Sequence, residues 1–332
     1  MANYQGVLVC CEVIDGQITT TTKELLNIGR RLCDELSQPL STLIIGTHLR
    51  ETANETIGLG AEKVYVINGS SLSEPHPDVY VAILTELSHQ IGPSIILFGH
   101  TDIGREVAPR LAARLKTTVV MDCTDLSIDL HTKKLLQTKP VYGGNAVAVW
   151  VSEMYEQQVV TLRPKTVGPA ERETSRKGDI ITLNVAIDDS MIRSKLLETV
   201  KEEVKGVKLE EAKVIVAGGG GIGGGEGFEL LGELAKVLGG TVGVTRVPCD
   251  EGWMPVSLEI GQTGHIVNPK LYIAIGISGA LQHMAGCSGS KWIVAINKDP
   301  EAHIFKEADF GVIGDYRNVL RQFIDECRAL RK

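Results

Sequence analysis

Leu271-Tyr-Ile-Ala-Ile-Gly-Ile-Ser-Gly-Ala-Leu-Gln-His283 is the stretch of this sequence that decides the fold of its second half. Its apolar first part predicts a buried strand, which a Gly-rich turn and the start of a helix follow. Gly261-Gln-Thr-Gly264 precedes it, and Ala295-Ile-Asn-Lys-Asp-Pro300 follows it. Each polar cluster comes just after an apolar run, which is where an open parallel sheet binds a nucleotide. The segment from Arg246 to Asp315 therefore predicts a nucleotide cofactor site.

Other apolar runs predict the rest of the same sheet. With Leu271–Ile275, they make five short buried strands, typical of a parallel sheet covered on both faces. The other four are Val214–Val216, Thr241–Val244, Ile293–Ile296 and Phe310–Ile313.

A Gly-rich loop over residues 218–225 lies between the first of these strands and an amphipathic helix over Phe228–Leu238. Glycines let backbone N–H groups approach a phosphate at a helix N-terminus, so the loop suits a pyrophosphate. The usual dinucleotide fold also has an acidic residue at the end of the next strand, and here that strand ends in Thr245-Arg246. A flexible turn that contacts no ligand therefore stays an alternative.

Polar residues at the predicted strand ends are the candidate ligand contacts. The Ser278 hydroxyl, between two turn glycines, suits a phosphate. His283 follows in the first turn of the next helix and projects near the same ligand. Asn297 and Asp315 each end a strand, where ribose and adenine contacts are expected. The alternatives are a core histidine and turn-forming Asn and Asp side chains.

The first half of the chain predicts another α/β domain. A helix over Lys23–Leu36 and later amphipathic segments alternate with the apolar runs Thr42–Gly46, Lys63–Ile67 and Ser94–Gly99, which is typical of βαβ units. Helical periodicity is lost between Thr117 and Ala186, where a β-rich extension of short strands is predicted. Those strands are Val119–Met121, Ala146–Val151, Val159–Leu162 and Ile180–Val185. We expect residues 1–190 to form an N-terminal α/β domain, the charge-rich residues 191–212 a linker, and residues 213–332 a second α/β domain.

Composition excludes several classes of protein. A chain of 332 residues that is 43% hydrophobic and 23% charged can bury a core and is neither disordered nor fibrous. A net charge of -7 without a Lys/Arg block argues against nucleic acid as a partner. The seven cysteines are scattered without a CxxC pair, so we expect buried thiols in a reducing compartment and no metal site. Without a signal peptide or a membrane-spanning apolar run, a cytoplasmic location and no membrane insertion are predicted.

The runs Ile260–Gly264, Leu271–Gly286 and Ile293–Glu301 together resemble the alpha subunit of electron transfer flavoprotein. Weaker matches extend the resemblance over nearly the full chain. It implies an FAD-binding electron carrier, paired with a smaller beta subunit, that does not itself convert a substrate. Acyl-CoA or other dehydrogenases would donate electrons, and a quinone-linked or ferredoxin acceptor would receive them. Electron bifurcation, with NADH activity through a second flavin in the beta subunit, stays open.

The resemblance also implies roles for single residues. Arg246 would lie over the isoalloxazine ring with Thr245 beside it, and His283 would approach the O2 side of the ring. Gln262 and Thr263 would lie near its N5 and O4 edge. Residues 278–282 would hold the pyrophosphate and ribityl chain, and Asn297, Asp315 and Tyr316 the adenosine end. The predicted FAD-binding residues are Gly220, Thr245, Arg246, Ile260, Gly261, Gln262, Thr263, Ser278, Gly279, Ala280, Leu281, Gln282, His283, Asn297, Asp315 and Tyr316.

Some residues depart from the pattern of that family. Gly220 stands where an arginine is common, so one charge contact is missing. Glu259 replaces a common glutamine, and we expect its negative charge to lower the flavin potential. Two other classes of protein would use the same strand-end crevice: an NAD-dependent oxidoreductase and a nucleotide-sensing module.

Overall fold

The computed structural model of the chain describes residues 4–14, 16–69, 76–142, 146–183, 197 and 208–330. The chain divides into two compact units, residues 1–199 and 200–332. Each unit has its own parallel sheet and its own hydrophobic core. Most of the predicted linker 191–212 lies outside the described residues. Two of its residues, Leu209 and Ala212, are buried in the core of the second unit.

The first unit is built on a seven-stranded parallel sheet with the order β12-β5-β4-β1-β6-β11-β7. The strands of the whole unit, including those outside this sheet, are β1 (Val7–Cys10), β2 (Val13–Ile14), β3 (Gln17–Ile18), β4 (Leu40–Gly46), β5 (Lys63–Asn68), β6 (Ile95–Gly99), β7 (Thr118–Cys123), β8 (Asp125–Ile128), β9 (Leu135–Val141), β10 (Ala146–Val151), β11 (Gln158–Leu162) and β12 (Asp179–Thr182). Strands β8, β9 and β10 form a separate antiparallel sheet, and β2 pairs with β3.

Helices cover both faces of the seven-stranded sheet. They are α1 (Thr20–Leu36), α2 (Arg50–Gly58), α3 (Pro77–Ile91) and α4 (Asp102–Leu115). Apolar residues of α1 and α2 pack on one face, and those of α3 and α4 pack on the other. The predicted βαβ organisation of this half is therefore confirmed. The predicted strand over Ile180–Val185 begins one residue earlier, at Asp179, and its last two residues lie outside the described part.

Threonines fix the start of α1 three residues before its predicted start. The Thr19 side chain accepts a hydrogen bond from the backbone N–H of Thr22 and caps the helix. The Thr22 hydroxyl is buried and bonds Glu12 twice, accepting from its N–H at 2.9 Å and donating to its carbonyl at 3.1 Å. These bonds join the helix to the segment that leaves β1.

Thr22→Val keeps the shape of the side chain and removes both hydrogen bonds to Glu12. We expect the free energy of unfolding to fall by about 1 to 3 kcal/mol, because the Glu12 N–H loses the Thr22 hydroxyl as acceptor. The Glu12 carbonyl keeps the Thr19 N–H as donor at 3.1 Å. Urea denaturation measures this change. Thr20→Val, at an exposed position of the same helix, is the control and should change stability by about 0.5 kcal/mol or less. Equal losses in the two variants would contradict the assignment.

A strap over residues 163–178 returns the chain across α1 and α2 and places β12 beside β5. Backbone N–H groups of the strap donate to the Lys23 carbonyl, from Ala170 at 3.0 Å, and to the Gly58 carbonyl, from Glu173 at 2.8 Å. The Glu24 carboxylate accepts from the Lys165 N–H at 2.8 Å. The N-terminal sheet thus gains an edge strand from a point far along the chain.

The second unit is a five-stranded parallel sheet with the order β14-β13-β15-β16-β17. Its strands are β13 (Val214–Gly218), β14 (Thr241–Val244), β15 (Leu271–Ile275), β16 (Ile293–Asn297) and β17 (Phe310–Ile313). Its helices are α5 (Gly227–Leu238), α6 (Arg246–Asp250), α7 (Leu281–Met284), α8 (Ile304–Glu307) and α9 (Tyr316–Leu330). All five strands lie where the sequence predicts them.

The strand order creates a topological switch point between β13 and β15. The chain leaves β13 for β14 on one side and then crosses to β15 on the other side of β13. The connections that follow β13 and β15 therefore lead to helices on opposite faces of the sheet, and a crevice opens between them at the carboxyl end of the sheet. Helices α5 and α9 pack on one face, while α7 and α8 contribute to the core of the other.

The prediction of five buried strands is wrong for β17. Phe310, Val312 and Ile313 are exposed by 62%, 40% and 64%. Strand β17 is the edge of the sheet and pairs with β16 alone. Apolar composition therefore predicts the strand correctly but not its exposure.

Candidate cofactor site

A cavity of about 520 Å³ lies at the carboxyl end of the second sheet, at its switch point. Its walls come from the loops after β13, β14 and β15 and from the segment that precedes β15. The lining residues are Gly219, Gly220, Gly221, Thr245, Arg246, Val247, Glu259, Ile260, Gly261, Gln262, Thr263, Gly276, Ile277, Ser278, Ala280, Gln282 and His283. Most of the predicted FAD-binding residues therefore share one cavity.

Two Gly-rich loops meet at the floor of this cavity. The Gly221 N–H donates to the Gly276 carbonyl at 2.9 Å, and the Gly219 N–H donates to the Ile275 carbonyl at 3.0 Å. A Cβ atom on Gly221 would lie 2.8 Å from the Gly276 Cα. Gly276 itself has a φ of 60°, in the left-handed region. The glycines are thus needed for contact between two backbones, and the loop over 218–225 is an ordered turn.

Gly221→Ala should separate the two loops, because the new methyl group meets backbone rather than a mobile side chain. We expect a loss of about 1 to 3 kcal/mol in the free energy of unfolding. Gly232→Ala in α5 is the matched control, since a Cβ there meets no atom within 4 Å, and it should stabilise the protein by about 0.5 to 1 kcal/mol. Denaturant unfolding of both variants checks the opposite signs. A gain in stability for Gly221→Ala would contradict the close packing of the loops.

Arg246 is the cationic side chain of the cavity lining. Strand β14 ends at Val244, Thr245 takes the N-cap position of α6, and Arg246 is the first helical residue. The Arg246 Nε lies 3.2 Å from Asp250 Oδ2, and both side chains are more than half exposed. An exposed ion pair contributes little, so the guanidinium can leave Asp250 at small cost.

The segment over residues 259–263 forms a wall of the cavity. Ile260 donates its N–H to the Val244 carbonyl at 2.8 Å, and Gln262 donates its N–H to the Gln282 carbonyl at 2.7 Å. The Thr263 hydroxyl donates to the Glu259 carboxylate at 2.6 Å. Glu259 is buried and belongs to the lining. A carboxylate therefore lies in this wall beside two of the predicted ring contacts.

His283 lines the cavity but is hydrogen-bonded within the protein through both ring nitrogens. Its Nδ1 lies 2.8 Å from the Ile260 carbonyl oxygen, and its Nε2 lies 2.9 Å from the Tyr272 hydroxyl. Burial lowers the pKa of His283 to about 4, although the Ile260 carbonyl and the Glu259 charge act in the opposite direction. The imidazole is neutral at physiological pH.

The remaining predicted site residues do not line the cavity. Asn297 donates its amide to the Ile277 carbonyl at 2.9 Å, and Tyr316 donates its hydroxyl to the Ile222 carbonyl at 3.0 Å. Asp315 accepts from the Arg317 N–H at 2.9 Å. Asn297 and Tyr316 thus bond the loops after β15 and β13, whereas Asp315 bonds the first turn of α9. Gly279 and Leu281 do not line the cavity either. The predicted cofactor contacts of these five residues stay predictions.

The list of predicted FAD-binding residues does not contain the whole lining. The further lining residues are Gly219, Gly221, Val247, Glu259, Gly276 and Ile277. The three glycines belong to the Gly-rich turns that the sequence suggests for a phosphate, and the charge of Glu259 is expected to act on the flavin. Val247 and Ile277 have apolar side chains, which the sequence does not distinguish from core residues.

Two features are absent from the described residues. No group of three or more His, Cys, Asp or Glu side chains there is placed to hold a metal ion. None of the described helices combines the length and the apolar character that crossing a membrane requires.

Comparisons of the sequence with family models and with known proteins identify the family of this chain. The family model described as "Electron transfer flavoprotein domain" matches residues 7–188, and the model described as "Electron transfer flavoprotein FAD-binding domain" matches residues 208–288. The electron transfer flavoprotein subunit alpha of Thermoanaerobacterium thermosaccharolyticum is 42% identical over 331 residues, which cover 100% of both chains. This chain belongs to the electron transfer flavoprotein alpha-subunit family. Its function class is therefore electron transport.

Other members of the family carry names that refer to specific reactions. The LctC subunit of a lactate dehydrogenase (NAD(+),ferredoxin) from Acetobacterium woodii is 37% identical, over 97% of this chain and 76% of its own. The acryloyl-CoA reductase electron transfer subunit beta of Anaerotignum propionicum is 35% identical, over 98% of this chain and 96% of its own. The family thus includes subunits of several redox systems.

Proposed function

We propose that this chain is the FAD-binding alpha subunit of a heterodimeric electron transfer flavoprotein, which passes electrons from a dehydrogenase to a downstream acceptor. The observation that carries this proposal is the cavity at the switch point of the second sheet. It lies in the part of the chain that resembles FAD-binding domains. A crevice at the carboxyl end of parallel strands is the usual place for a nucleotide cofactor.

The chemistry of the cavity fits a dinucleotide that carries a flavin. Gly219, Gly220 and Gly221 bring backbone to the crevice without side chains in the way, and the exposed Ser278 hydroxyl faces it. These groups would hold the pyrophosphate. Ile260 and Val247 give apolar surface for a ring system. The loops braced by Asn297, Asp315 and Tyr316 would enclose the adenosine end.

The charged residues of the lining would set the reduction potential. FAD, when bound, supplies the one-electron and two-electron chemistry, and the protein supplies orientation and electrostatics. Arg246 would favour the added negative charge of a reduced ring, whereas the Glu259 carboxylate would oppose it. Because the Arg246 ion pair is exposed, its guanidinium can turn toward the ring without leaving a buried charge behind.

The chain should carry FAD when it is purified together with its beta subunit. The measurement is the visible spectrum during stepwise reduction, followed by release and chromatographic identification of the cofactor. A flavin spectrum with FAD released in proportion to the chain is the expected result. A colourless complex that takes up NAD instead would contradict the proposal and favour an NAD-dependent oxidoreductase.

An apolar surface on the first unit supports the proposed heterodimer. Strand β10 is the edge of the small antiparallel sheet, and Val147, Val149 and Trp150 are exposed by 65%, 57% and 52%. Val147, Val149 and Val151, the last exposed by 43%, lie on one face of this strand, and Trp150 lies on the other. Several exposed apolar side chains on one edge strand favour a protein interface over a solvated surface. We infer that this strand packs on the beta subunit, which agrees with a structural rather than a cofactor-binding role for the N-terminal unit.

Val149→Asp should weaken the complex with the beta subunit at least tenfold, because assembly would bury an unpaired charge. Sedimentation or size-exclusion titration of the two subunits measures the affinity. Ile14→Asp is the control, since Ile14 is 64% exposed and lies in the β2–β3 hairpin, and it should assemble like the parent chain. Normal assembly of Val149→Asp would exclude β10 from the interface.

The classes of electron donor and acceptor are part of the same proposal and rest on the resemblance to the family. Acyl-CoA or other dehydrogenases are the proposed donors, and a quinone-linked or ferredoxin acceptor is the proposed recipient. Similarity to a subunit of an enzyme named for NAD(+) and ferredoxin supports an extension in which the complex bifurcates electrons through a second flavin.

A further inference from the structure

A β-bulge interrupts the first parallel sheet where the chain leaves it for the small antiparallel sheet. Met121 and Asp122 on β7 together oppose the single residue Thr161 on β11, and the pairing of these two strands ends at Cys123. Bulges are rare between parallel strands, and they bend a strand or end its pairing. The arm, which is the antiparallel sheet of β8, β9 and β10, begins two residues later, at Asp125.

The backbone of Asp122 has a conformation that few residues adopt. Its φ is 65°, in the left-handed region, where Asp and Asn are tolerated better than other residues with a side chain. Its N–H donates to the Thr161 hydroxyl at 2.8 Å, so a side chain of β11 replaces the usual carbonyl acceptor of a sheet. Thr161 is fully buried, and its hydroxyl lies 2.9 Å from His100 Nδ1. Specific hydrogen bonds therefore hold the bulge.

The Asp122 carboxylate also forms a bidentate ion pair with Arg163, the residue that follows β11. Arg163 Nε donates to one carboxylate oxygen at 2.9 Å, and a terminal guanidinium nitrogen donates to the other at 2.7 Å. The side chains of Arg163 and Asp122 are exposed by only 16% and 27%. The Arg163 N–H donates to the Cys123 carbonyl at 2.7 Å. Backbone and side chain thus join the end of β11 to the bulge.

The charged groups around the bulge make Arg163 the counter-ion of Asp122. His100 Nε2 lies 3.9 Å from Asp122, too far for a hydrogen bond. Burial lowers the pKa of His100, although the Asp122 charge acts in the opposite direction, and the charges of Arg105, Arg163 and Lys139 lower it further. The imidazole is therefore neutral at pH 7 and does not balance the carboxylate.

The base of the arm has other contacts, but they do not define a direction. Leu126 of β8 is buried in the core, and the exposed Arg31 of α1 lies 2.9 Å from Asp125. Burial of apolar surface is non-directional, and an exposed ion pair contributes little. The pair of Asp122 and Arg163 combines a fixed fork geometry with low exposure. The bulge is therefore the contact that determines where the arm points.

We propose that Asp122 and Arg163 form a joint that sets the direction of the arm and thereby presents the apolar surface of β10 to the beta subunit. Strand β10 lies two strands away from β8, so a small rotation at the base of the arm displaces this surface. Asp122 and Arg163 act on the partner through the arm and are positioning residues. The identity of the partner rests on the proposed function, whereas the joint rests on the geometry of the first unit.

Hydrogen exchange of the full chain, measured by mass spectrometry, tests the joint without the partner. Asp122→Asn keeps a residue that tolerates the left-handed region and removes its charge. Arg163→Gln removes the fork. In each variant the amides of β8, β9 and β10 should exchange at least about tenfold faster, while those of β1 and β4 keep their parent rates. Parent rates in the arm, or faster exchange throughout the unit, would overturn the proposal.

Arg105→Gln is the matched control. Arg105 pairs with Asp102 in α4 at the same end of the sheet, and the two side chains are exposed by 47% and 96%. The control should leave the exchange of the arm at the parent rate. The double variant of Asp122→Asn with Arg163→Gln should exchange no faster than either single variant, because the two residues act as one unit. Additive effects would contradict a joint.

Affinity for the beta subunit gives the second readout. Asp122→Asn should weaken assembly about threefold to tenfold, as expected for a residue that acts on a site from a distance, and Arg105→Gln should assemble like the parent chain. Normal assembly of Val149→Asp would remove β10 from the interface, while the exchange experiment would still decide on the joint. Weak assembly of Val149→Asp together with normal assembly of Asp122→Asn would overturn the link between the joint and the partner.

Discussion

The second unit depends on one constraint at the ends of two adjacent parallel strands, β13 and β15. The chain continues from them to helices on opposite faces of the sheet, yet the loops that follow them must stay in backbone contact. Strands β13 and β15 pair along their length, and their loops touch through the hydrogen bond from Gly221 to the Gly276 carbonyl. Any side chain at this contact would enter the opposite backbone. The contact fixes the floor of the cavity, and the crossover to β14 fixes where its walls begin. Glycines thus form the floor of the cavity, while residues with side chains, such as Ile260 and Arg246, form its walls.

The electrostatic character of the cavity follows from how each polar group is held. Arg246 is exposed and weakly paired, so it can respond to a ligand, whereas Glu259 is buried and bonded to Thr263. Burial lowers the pKa of His283 to about 4, although the Glu259 charge acts in the opposite direction. A mobile positive charge and a fixed negative charge therefore face the same space. Such a pair suits a carrier that must accept and release an electron, since strong stabilisation of either redox state would slow one of the two transfers.

The sequence predicts those parts of the structure that depend on local pattern. Apolar runs locate six of the seven strands of the first parallel sheet, all except β1, and all five strands of the second. Polar clusters after β14 and β15 locate the cavity. It does not predict contacts between distant side chains. Asn297, Asp315 and Tyr316 follow strands as ligand contacts would, yet each bonds a backbone group of the protein. The His283 ring also bonds the Tyr272 hydroxyl, which lies eleven residues earlier on a buried strand. Apolar composition likewise identifies β17 but not its exposure at the sheet edge.

The first unit shows why topology alone does not make a cofactor site. Its sheet also has a switch point, between β1 and β6, because the chain moves outward to β4 and β5 and then returns to β6 on the other side of β1. There the side chains of Thr21 and Glu12 lie against the backbone at the end of β6. A Cβ on Gly99 would lie 2.6 Å from the Thr21 side chain and 3.2 Å from the Glu12 carboxylate.

Polar groups at that first switch point are bonded to one another. Thr101 donates its hydroxyl to Glu12 at 2.6 Å and caps α4 by accepting from the Gly104 N–H. Burial raises the pKa of Glu12 to about 6, which shows that this crevice disfavours negative charge. A phosphate would have to displace a carboxyl group from a closed hydrogen-bond network. Both sheets thus have a switch point, but different residues follow the strands there. Side chains such as Glu12 and Thr101 follow β1 and β6 in the first unit, whereas glycines follow β13 and β15 in the second and line an open cavity.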